Sequence, residues 1–109
     1  MPTTGALEID LEAFAREHCT AYVIDVREPA EYVSGHVPGA LLIPLGTLGV
    51  RAGEFPRGRT VYIVCASGNR SLRAAQALAD SGFDAVSVAG GTSAWIRSGR
   101  AVVTGESAD

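Results

Sequence analysis

The residues best suited to chemistry are a cysteine and the short polar loop that follows it. Cys65 comes directly after an apolar run, 61–64, and the six residues after it read Ala-Ser-Gly-Asn-Arg-Ser. A glycine-containing loop at the start of a helix turns backbone N–H groups toward an anion. Such groups also favour the thiolate of a cysteine, which is its nucleophilic form. We therefore expect the sulfur of Cys65 to be the reacting atom, ionised and accessible.

A structural role is the alternative for Cys65, because free cysteines are often buried and pack as small apolar side chains. The sequence that follows favours chemistry, since a thiol that only fills space needs no run of glycine and hydrogen-bonding residues, 67–71, after it. An unperturbed thiol has a pKa of about 8.5, and lowering it by about two units requires roughly 2.7 kcal/mol. A helix N-terminus and the N–H groups of a loop can together supply this amount.

Several residues of the loop have more than one possible role. Gly68 allows the backbone to turn inward without a clashing side chain. Ser67 and Asn69 can either cap the next helix or donate to a substrate oxyanion. For Arg70 the sequence leaves two roles open, a clamp on the substrate or a contact that holds the loop from outside.

The composition is that of a single globular domain of 109 residues, with 47% hydrophobic and 19% charged residues. A net charge of −3 argues against nucleic acid or a membrane surface as a partner. No stretch reaches membrane-spanning length, and no apolar leader follows Met1. The two cysteines and two histidines form no close cluster, so no metal site is expected. We expect a cytoplasmic protein with free thiols.

Apolar strands alternate with helical segments along the chain. Strands are predicted over 21–26, 40–43, 61–64 and 86–88, and helices begin near Asp10, at Pro29, after the Cys65 loop and at Gly90-Gly91. Strands that are apolar throughout and alternate with helices are typical of a parallel sheet covered on both faces. Ligands of such sheets bind beyond the carboxyl ends of the strands, which is where Cys65 lies.

The clearest helix follows the Cys65 loop. Its apolar stripe is predicted to consist of Leu72, Ala75, Leu78 and Ala79. Gly82 is expected to end this helix in the left-handed conformation, with the hydrophobic Phe83 folding back onto it.

Residues outside the loop are candidates for supporting roles. Asp25 ends a predicted strand at the same edge as Cys65 and can orient loop N–H groups or a nearby arginine. Arg27 is expected to form an ion pair with Glu31, four residues further along. His36 is either a base for Cys65 or, as we favour, a residue that bonds backbone carbonyls.

Two further residues have less specific interpretations. Trp95 either walls the site or fills the core, and the core is favoured. Cys19 is interpreted as incidental, because nothing in its spacing supports a disulfide with Cys65.

Three segments make the chain similar to the single-domain rhodaneses, a family of sulfurtransferases. They are the residues 25–44, which contain Asp-Val-Arg-Glu-Pro and Gly-His-Val-Pro-Gly-Ala, the loop 65–71, and the residues 90–95, which contain Gly-Gly and Ala-Trp. All three occur in this order and together extend over most of the chain.

The resemblance implies a three-layer α/β/α fold with a central, mostly parallel five-stranded sheet. It implies that Cys65 is catalytic and cycles between thiol and persulfide, accepting sulfur from a donor such as thiosulfate and passing it to cyanide or a thiol. It implies no metal or organic cofactor. The loop N–H groups then hold the anionic sulfur, and the substrate-binding residues are Ala66, Ser67, Gly68, Asn69, Arg70 and Ser71.

The length of the loop separates this family from relatives of the same fold. Thiol phosphatases and arsenate reductases place one more residue between cysteine and arginine, whereas four residues lie between Cys65 and Arg70. A narrower ring of N–H donors makes shorter contacts to a single sulfur atom, so these two activities are disfavoured.

Two other functions stay open beside sulfur transfer between small molecules. One is a sulfur-relay module that takes sulfur from a desulfurase and passes it to a partner protein. The other, ranked last because Cys65 is present, is a catalytically silent binder. In each case we expect one domain over 6–103, with flexible ends at 1–5 and 104–109.

Overall fold

A parallel β-sheet forms the centre of the molecule. The structure is a computed structural model and describes residues 7–109. Within that range the strands are β1 (Glu8–Ile9), β2 (Tyr22–Asp25), β3 (Leu41–Leu42), β4 (Val61–Val64) and β5 (Ala85–Val88). They pair in the order β1-β5-β4-β2-β3, and every pairing is parallel.

Helices connect the strands. Within the same described range they are α1 (Leu11–Glu17), α2 (Pro29–Ser34), α3 (Leu48–Arg51), α4 (Asn69–Asp80) and α5 (Gly91–Arg97), with short 3-10 turns at His18–Thr20, Leu45–Thr47 and Ala52–Glu54. Over residues 7–109, each helix is too short or too polar to cross a lipid bilayer.

Side chains of the strands alternate between two hydrophobic clusters, one on each face of the sheet. Ile24 and Ile63 pack with residues of α3 and α4, whereas Val23 and Val64 pack with Phe14 of α1 and with α5. This alternation is expected, because successive strand residues point to opposite faces. The predicted three-layer α/β fold with a five-stranded sheet is confirmed.

Strand register places the candidate residues at one edge of the sheet. Asp25, the last residue of β2, pairs with Val64, the last residue of β4. Cys65 therefore emerges beside the end of β2. On the other side of β4, Ile63 pairs with Ser87 of β5, so that this serine lies one strand away from the cysteine.

The helix ends follow the predicted sequence signals. The Asp10 carboxylate accepts the Ala13 N–H at 2.7 Å and caps α1. At the end of α4, Gly82 has a φ of +92°, and the Phe83 N–H donates to the Leu78 carbonyl at 3.0 Å. Helix α4 therefore ends at a glycine in the left-handed conformation, as predicted.

One strand and one helix face differ from the sequence prediction. The edge strand β1 was not predicted, because two residues are too few to produce a periodic signal. The buried face of α4 consists of Ser71, Ala74, Ala75 and Leu78, whereas Leu72 is 39% exposed. The predicted stripe was thus wrong at Leu72, since the polar Ser71 takes the inward position instead.

The C-terminal segment is hydrogen-bonded to the domain, although the sequence suggested a flexible end from residue 104. Gly105 donates its N–H to the Val33 carbonyl, and the Ala108 carbonyl accepts the N–H of Gly39, each at 2.8 Å. The segment 1–5 lies outside the described residues, and the domain boundaries stay a prediction.

A buried ion pair fixes the end of β2 against the loop after α2. Arg27 donates from Nε and Nη2 to the Asp25 carboxylate at 2.8–3.1 Å, and its Nη2 also donates to the Gly35 carbonyl at 2.9 Å. The predicted pair between Arg27 and Glu31 is wrong, because the fully buried Asp25 takes up the guanidinium.

Replacing Asp25 by asparagine tests the importance of this pair. Asp25→Asn should lower the free energy of unfolding by about 3–5 kcal/mol, because it leaves the Arg27 charge buried without a counterion. Denaturant unfolding measures this loss. Glu54→Gln, which breaks the exposed pair with Arg51, is the control and should change stability little. Equal losses in the two variants would contradict the account.

Candidate active site

The Cys65 side chain lies at the start of the loop that joins β4 to α4. Its Sγ accepts a hydrogen bond from the Gly68 N–H at 3.0 Å. The Ser71 hydroxyl oxygen lies 3.3 Å from the same sulfur. The loop therefore curls back around the sulfur, and the first turn of α4 closes the arrangement.

Hydrogen bonds to this sulfur favour its charged form. Burial by itself raises the pKa of Cys65, because a thiolate loses hydration in the interior. The Ser71 hydroxyl opposes this effect, and so do the backbone N–H groups of Ser71, Gly68 and Ser67. The hydrogen bonds outweigh the burial, and the pKa of Cys65 is lowered from its ordinary value. This arrangement favours the thiolate, which is the form that attacks sulfur.

The sulfur is less accessible than the sequence predicts. Cys65 is only 1% exposed, and it belongs to the hydrophobic cluster that includes Ala74 and Ala75 of α4. The prediction of an accessible thiol is therefore wrong for this conformation. Cys65 is buried because helix α4 packs against the end of β4. Little of the Cys65 side chain is therefore open to a donor in this conformation.

Gly68 forms the bend of the loop. It has a φ of +111°, a backbone conformation that favours glycine, and it is the N-cap residue of α4. No side chain makes a cap hydrogen bond there, so neither Ser67 nor Asn69 caps the helix as proposed. Ser67 contributes through its backbone N–H instead.

The residues that follow the Gly90-Gly91 turn hold the Cys65 loop through backbone hydrogen bonds. The Thr92 N–H donates to the Cys65 carbonyl at 2.8 Å, and the Ser93 N–H donates to the Ala66 carbonyl at 3.0 Å. At Gly91, where φ is +57°, an added Cβ would lie 2.4 Å from the Cys65 carbonyl oxygen. Only a glycine allows α5 to approach this closely.

Arg70 holds the loop from outside. Its guanidinium donates two hydrogen bonds of 2.9 Å to the Glu31 carboxylate of α2. Both side chains are about one-third exposed. Hydrogen bonding from Arg70 lowers the pKa of Glu31 to about 2. Of the two roles that the sequence left open for Arg70, the structure shows this one.

His36 and Trp95 have structural roles. Both ring nitrogens of the buried His36 lie 2.8 Å from backbone carbonyls, those of Tyr32 and Ser107, in agreement with the favoured interpretation. Trp95 packs against Phe14 in the core and donates its indole N–H to a backbone carbonyl. Neither side chain makes a hydrogen bond to the Cys65 sulfur.

Cys19 lies at the other end of the sheet. It precedes the first residue of β2, whereas Cys65 follows the last residue of β4, and these two strands pair in register. A four-residue strand spans roughly 13 Å, and a disulfide needs Cα atoms within about 7 Å. Both cysteines are free. Cys19 therefore cannot form a disulfide with Cys65 in this structure.

Ser87 is a buried polar residue at the site that the sequence interpretation missed. Its hydroxyl oxygen lies 2.7 Å from that of Ser71, and both residues are fully buried. A serine inside the otherwise apolar strand 85–88 was the available signal. Among residues 7–109, no group of three or more His, Cys, Asp or Glu side chains could hold a metal ion.

Comparison with known proteins decides the family. A family profile for the rhodanese-like domain matches residues 10–98. The chain belongs to the rhodanese-like domain family. It is 36% identical over 103 residues to a sulfurtransferase of Allochromatium vinosum. The alignment covers 91% of this chain and 96% of that protein.

Two further comparisons agree. The chain is 42% identical over 82 residues to the putative sulfur carrier protein YrkF of Bacillus subtilis, covering 72% of this chain and 44% of YrkF. A crystal structure of a rhodanese-related protein from Thermoplasma volcanium matches with a TM-score of 0.85 at 32% identity, covering 90% of this chain and 98% of that one. The predicted family is confirmed, and these relatives support sulfur transfer as its general function.

A substitution at Gly91 tests the support of the loop. Gly91→Ala should lower the free energy of unfolding by about 1–3 kcal/mol more than Gly99→Ala, because its Cβ collides with the Cys65 carbonyl. Gly99 is a matched control, since it also has a positive φ, +83°, but has nothing within 4 Å of the added Cβ. Denaturant unfolding measures both. Similar losses would show that only the backbone strain matters.

The ion pair between Glu31 and Arg70 gives a pH-dependent prediction. Glu31→Gln should reduce stability at neutral pH by less than about 1 kcal/mol, because the pair is partly exposed. Since the folded-state pKa is depressed, the contribution is complete above the unfolded value and disappears as the pH falls through about 2.

Denaturant unfolding of both proteins from neutral to acidic pH measures this difference. Glutamine keeps an oxygen for the Glu28 N–H, which Glu31 accepts at 2.9 Å, so the helix cap is preserved. A difference that stays constant down to pH values near the folded-state pKa would contradict the ion-pair explanation.

Proposed function

We propose that this protein is a sulfurtransferase in which Cys65 carries the transferred sulfur as a persulfide. The observation that carries the proposal is the set of hydrogen bonds to Sγ, above all the one from the Gly68 N–H at 3.0 Å. These bonds favour a thiolate at a position where a second sulfur could be held by the same ring of N–H groups.

The reaction consists of two displacements at sulfur. With thiosulfate as donor, the Cys65 thiolate attacks the outer sulfur, a new S–S bond forms, and sulfite leaves with the electron pair of the broken S–S bond. The terminal sulfur of the persulfide then carries the negative charge. A nucleophile such as cyanide attacks that sulfur, forms thiocyanate, and returns the electron pair to Cys65 as a thiolate. Neither step needs a proton or a redox partner.

The length of the loop favours sulfur over a tetrahedral oxyanion. Only residues 66–69 lie between Cys65 and Arg70, and the curled loop already brings the Gly68 N–H into contact with a single sulfur atom. Arg70 is bound to Glu31 and does not supply a free cation for a phosphate. Phosphatase and arsenate reductase activities are therefore disfavoured.

A sulfur-relay function is the second candidate, and two observations favour it. The charge of Arg70, which interacts with Cys65, is neutralised by Glu31, so the site offers a small dianion such as thiosulfate little attraction. Cys65 is also 1% exposed, so that a partner protein could serve to open the loop. In this case a protein persulfide would be the donor and a carrier protein the acceptor.

The chemistry requires a reduced Cys65, which fits a reducing compartment such as the cytoplasm. Both cysteines are free in the structure, which is compatible with that location. The partners we propose are a small-molecule or protein sulfur donor and a thiophilic acceptor, without nucleic acid or a membrane, and the mechanism uses no cofactor.

Replacement of Cys65 by serine tests the proposal. Cyanide-dependent formation of thiocyanate from thiosulfate should disappear in Cys65→Ser, because a serine hydroxyl cannot hold a transferred sulfur in this way. Cys19→Ser is the matched control and should retain activity. Intact-mass measurement after brief exposure to thiosulfate should show one added sulfur atom on the native protein and none on Cys65→Ser.

The same assay distinguishes the two candidates. Fast turnover with thiosulfate supports small-molecule transfer, whereas slow turnover that a protein persulfide donor accelerates supports the relay. Unchanged activity in Cys65→Ser, or no sulfur adduct from either donor, would refute the proposed function.

A further inference from the structure

Two buried serine hydroxyls form a hydrogen-bonded chain that ends at the Cys65 sulfur. Ser71 of α4 and Ser87 of β5 face each other with their oxygens 2.7 Å apart, and both residues are 0% exposed. The Ser71 oxygen also lies 3.3 Å from Cys65 Sγ and 3.2 Å from the Gly68 carbonyl oxygen. The chain therefore runs from Ser87 through Ser71 to the sulfur.

The direction of the protons in this chain decides whether the sulfur receives a hydroxyl hydrogen bond. Each hydroxyl has one proton to donate and lone pairs to accept with. If Ser71 donates to Ser87, no hydroxyl proton is left for Sγ. If Ser87 donates to Ser71, the Ser71 proton is free to point to Sγ or to the Gly68 carbonyl.

The second direction suits a charged sulfur. A hydrogen bond to a thiolate is stronger than one to a neutral carbonyl, and the Gly68 carbonyl already accepts the Leu72 N–H at 3.1 Å. The Ser87 oxygen is 3.5 Å from that carbonyl but 2.7 Å from Ser71, so Ser71 is its better acceptor. Donation by Ser87 also polarises the Ser71 hydroxyl and strengthens its own donation.

We propose that Ser87 is a positioning residue for sulfur transfer, whose hydroxyl holds the Ser71 hydroxyl as a donor to the Cys65 sulfur while that sulfur is charged. In the persulfide the charge lies on the terminal sulfur, and the Ser71 hydroxyl can turn to the Gly68 carbonyl. The inference deepens the proposed function and rests on it, because it concerns the same sulfur.

In the described part of the chain, the charged groups around Cys65 make no hydrogen bond to the hydroxyls of Ser71 and Ser87. Arg70 is the cation that interacts with Cys65, and Glu31 binds it from α2. At the end of the neighbouring strand β2, Asp25 is paired with Arg27. Replacement of Ser87 leaves these four groups in place. A change in the titration of Cys65 on that replacement therefore reports the hydroxyl chain.

The rate of alkylation of Cys65 by iodoacetamide as a function of pH tests the inference, in a Cys19→Ser background that leaves one thiol. Ser87→Ala should raise the midpoint of the pH–rate profile by roughly 0.3–1 pH unit, which slows alkylation about two- to tenfold below the midpoint. Ser71→Ala should raise the midpoint further. Ser98→Ala is the control, because its hydroxyl bonds the Trp95 carbonyl and should leave the midpoint unchanged.

The double variant separates positioning from a direct effect. Because Ser87 acts through Ser71, Ser71→Ala with Ser87→Ala should have the same midpoint as Ser71→Ala alone. The pair Ser87→Thr and Ser87→Val separates the hydroxyl from side-chain volume, since these two residues are nearly equal in shape. Threonine should preserve the native midpoint, and valine should raise it as alanine does.

Two results would overturn the inference. One is an unchanged midpoint in folded Ser87→Ala and Ser87→Val. The other is a midpoint shift on Ser87→Ala that is equally large in the native protein and in Ser71→Ala. Alkylation needs no sulfur donor, so these outcomes do not depend on sulfur transfer. A native protein that shows the shifts but accepts no sulfur from any donor would contradict the proposed function and leave the hydroxyl chain intact.

Discussion

The hydrogen bond from the Gly68 N–H to the Cys65 sulfur is the contact around which the rest of the site is built. A thiolate in the interior loses hydration, so it is stable only where fixed donors replace the lost water. The loop supplies such donors from its backbone, and in the proposed arrangement the Ser71 hydroxyl adds another. Because backbone N–H groups cannot be neutralised by a change of pH, this solvation is permanent.

Elements remote in sequence hold the loop in that shape. The N-terminus of α5 donates to the carbonyls of Cys65 and Ala66 and thereby leaves the N–H side of the loop facing the sulfur. Arg70 ties the other end to Glu31 of α2, and the buried pair of Asp25 and Arg27 anchors the neighbouring strand end. The parallel sheet makes this possible, since it brings the ends of its strands to a single edge. Two segments remote in sequence, the start of α5 and Glu31 of α2, thus hold the loop in this conformation.

The local features of the fold could be predicted from the sequence, and the long-range pairings could not. The apolar strand 61–64, the glycine stop at Gly82 and the cysteine loop each carry a signal within a few residues. The ion pair between Glu31 and Arg70 joins residues 39 positions apart, so no local sequence pattern predicts it. Ser71 turns inward because it meets the sulfur and Ser87, so a helix pattern based on hydrophobicity alone selects Leu72 wrongly. Burial of Cys65 was missed for the same reason, because it depends on how α4 packs.

The most direct test of this account is an NMR titration of Cys65. In the Cys19→Ser background, cysteine labelled with carbon-13 at Cβ gives one signal whose shift follows ionisation of the sulfur. The account predicts a midpoint clearly below the value of about 8.5 for an ordinary thiol, because backbone and hydroxyl donors stabilise the thiolate despite its burial. A midpoint at or above that value would show that burial dominates and that the loop does not hold an ionised sulfur.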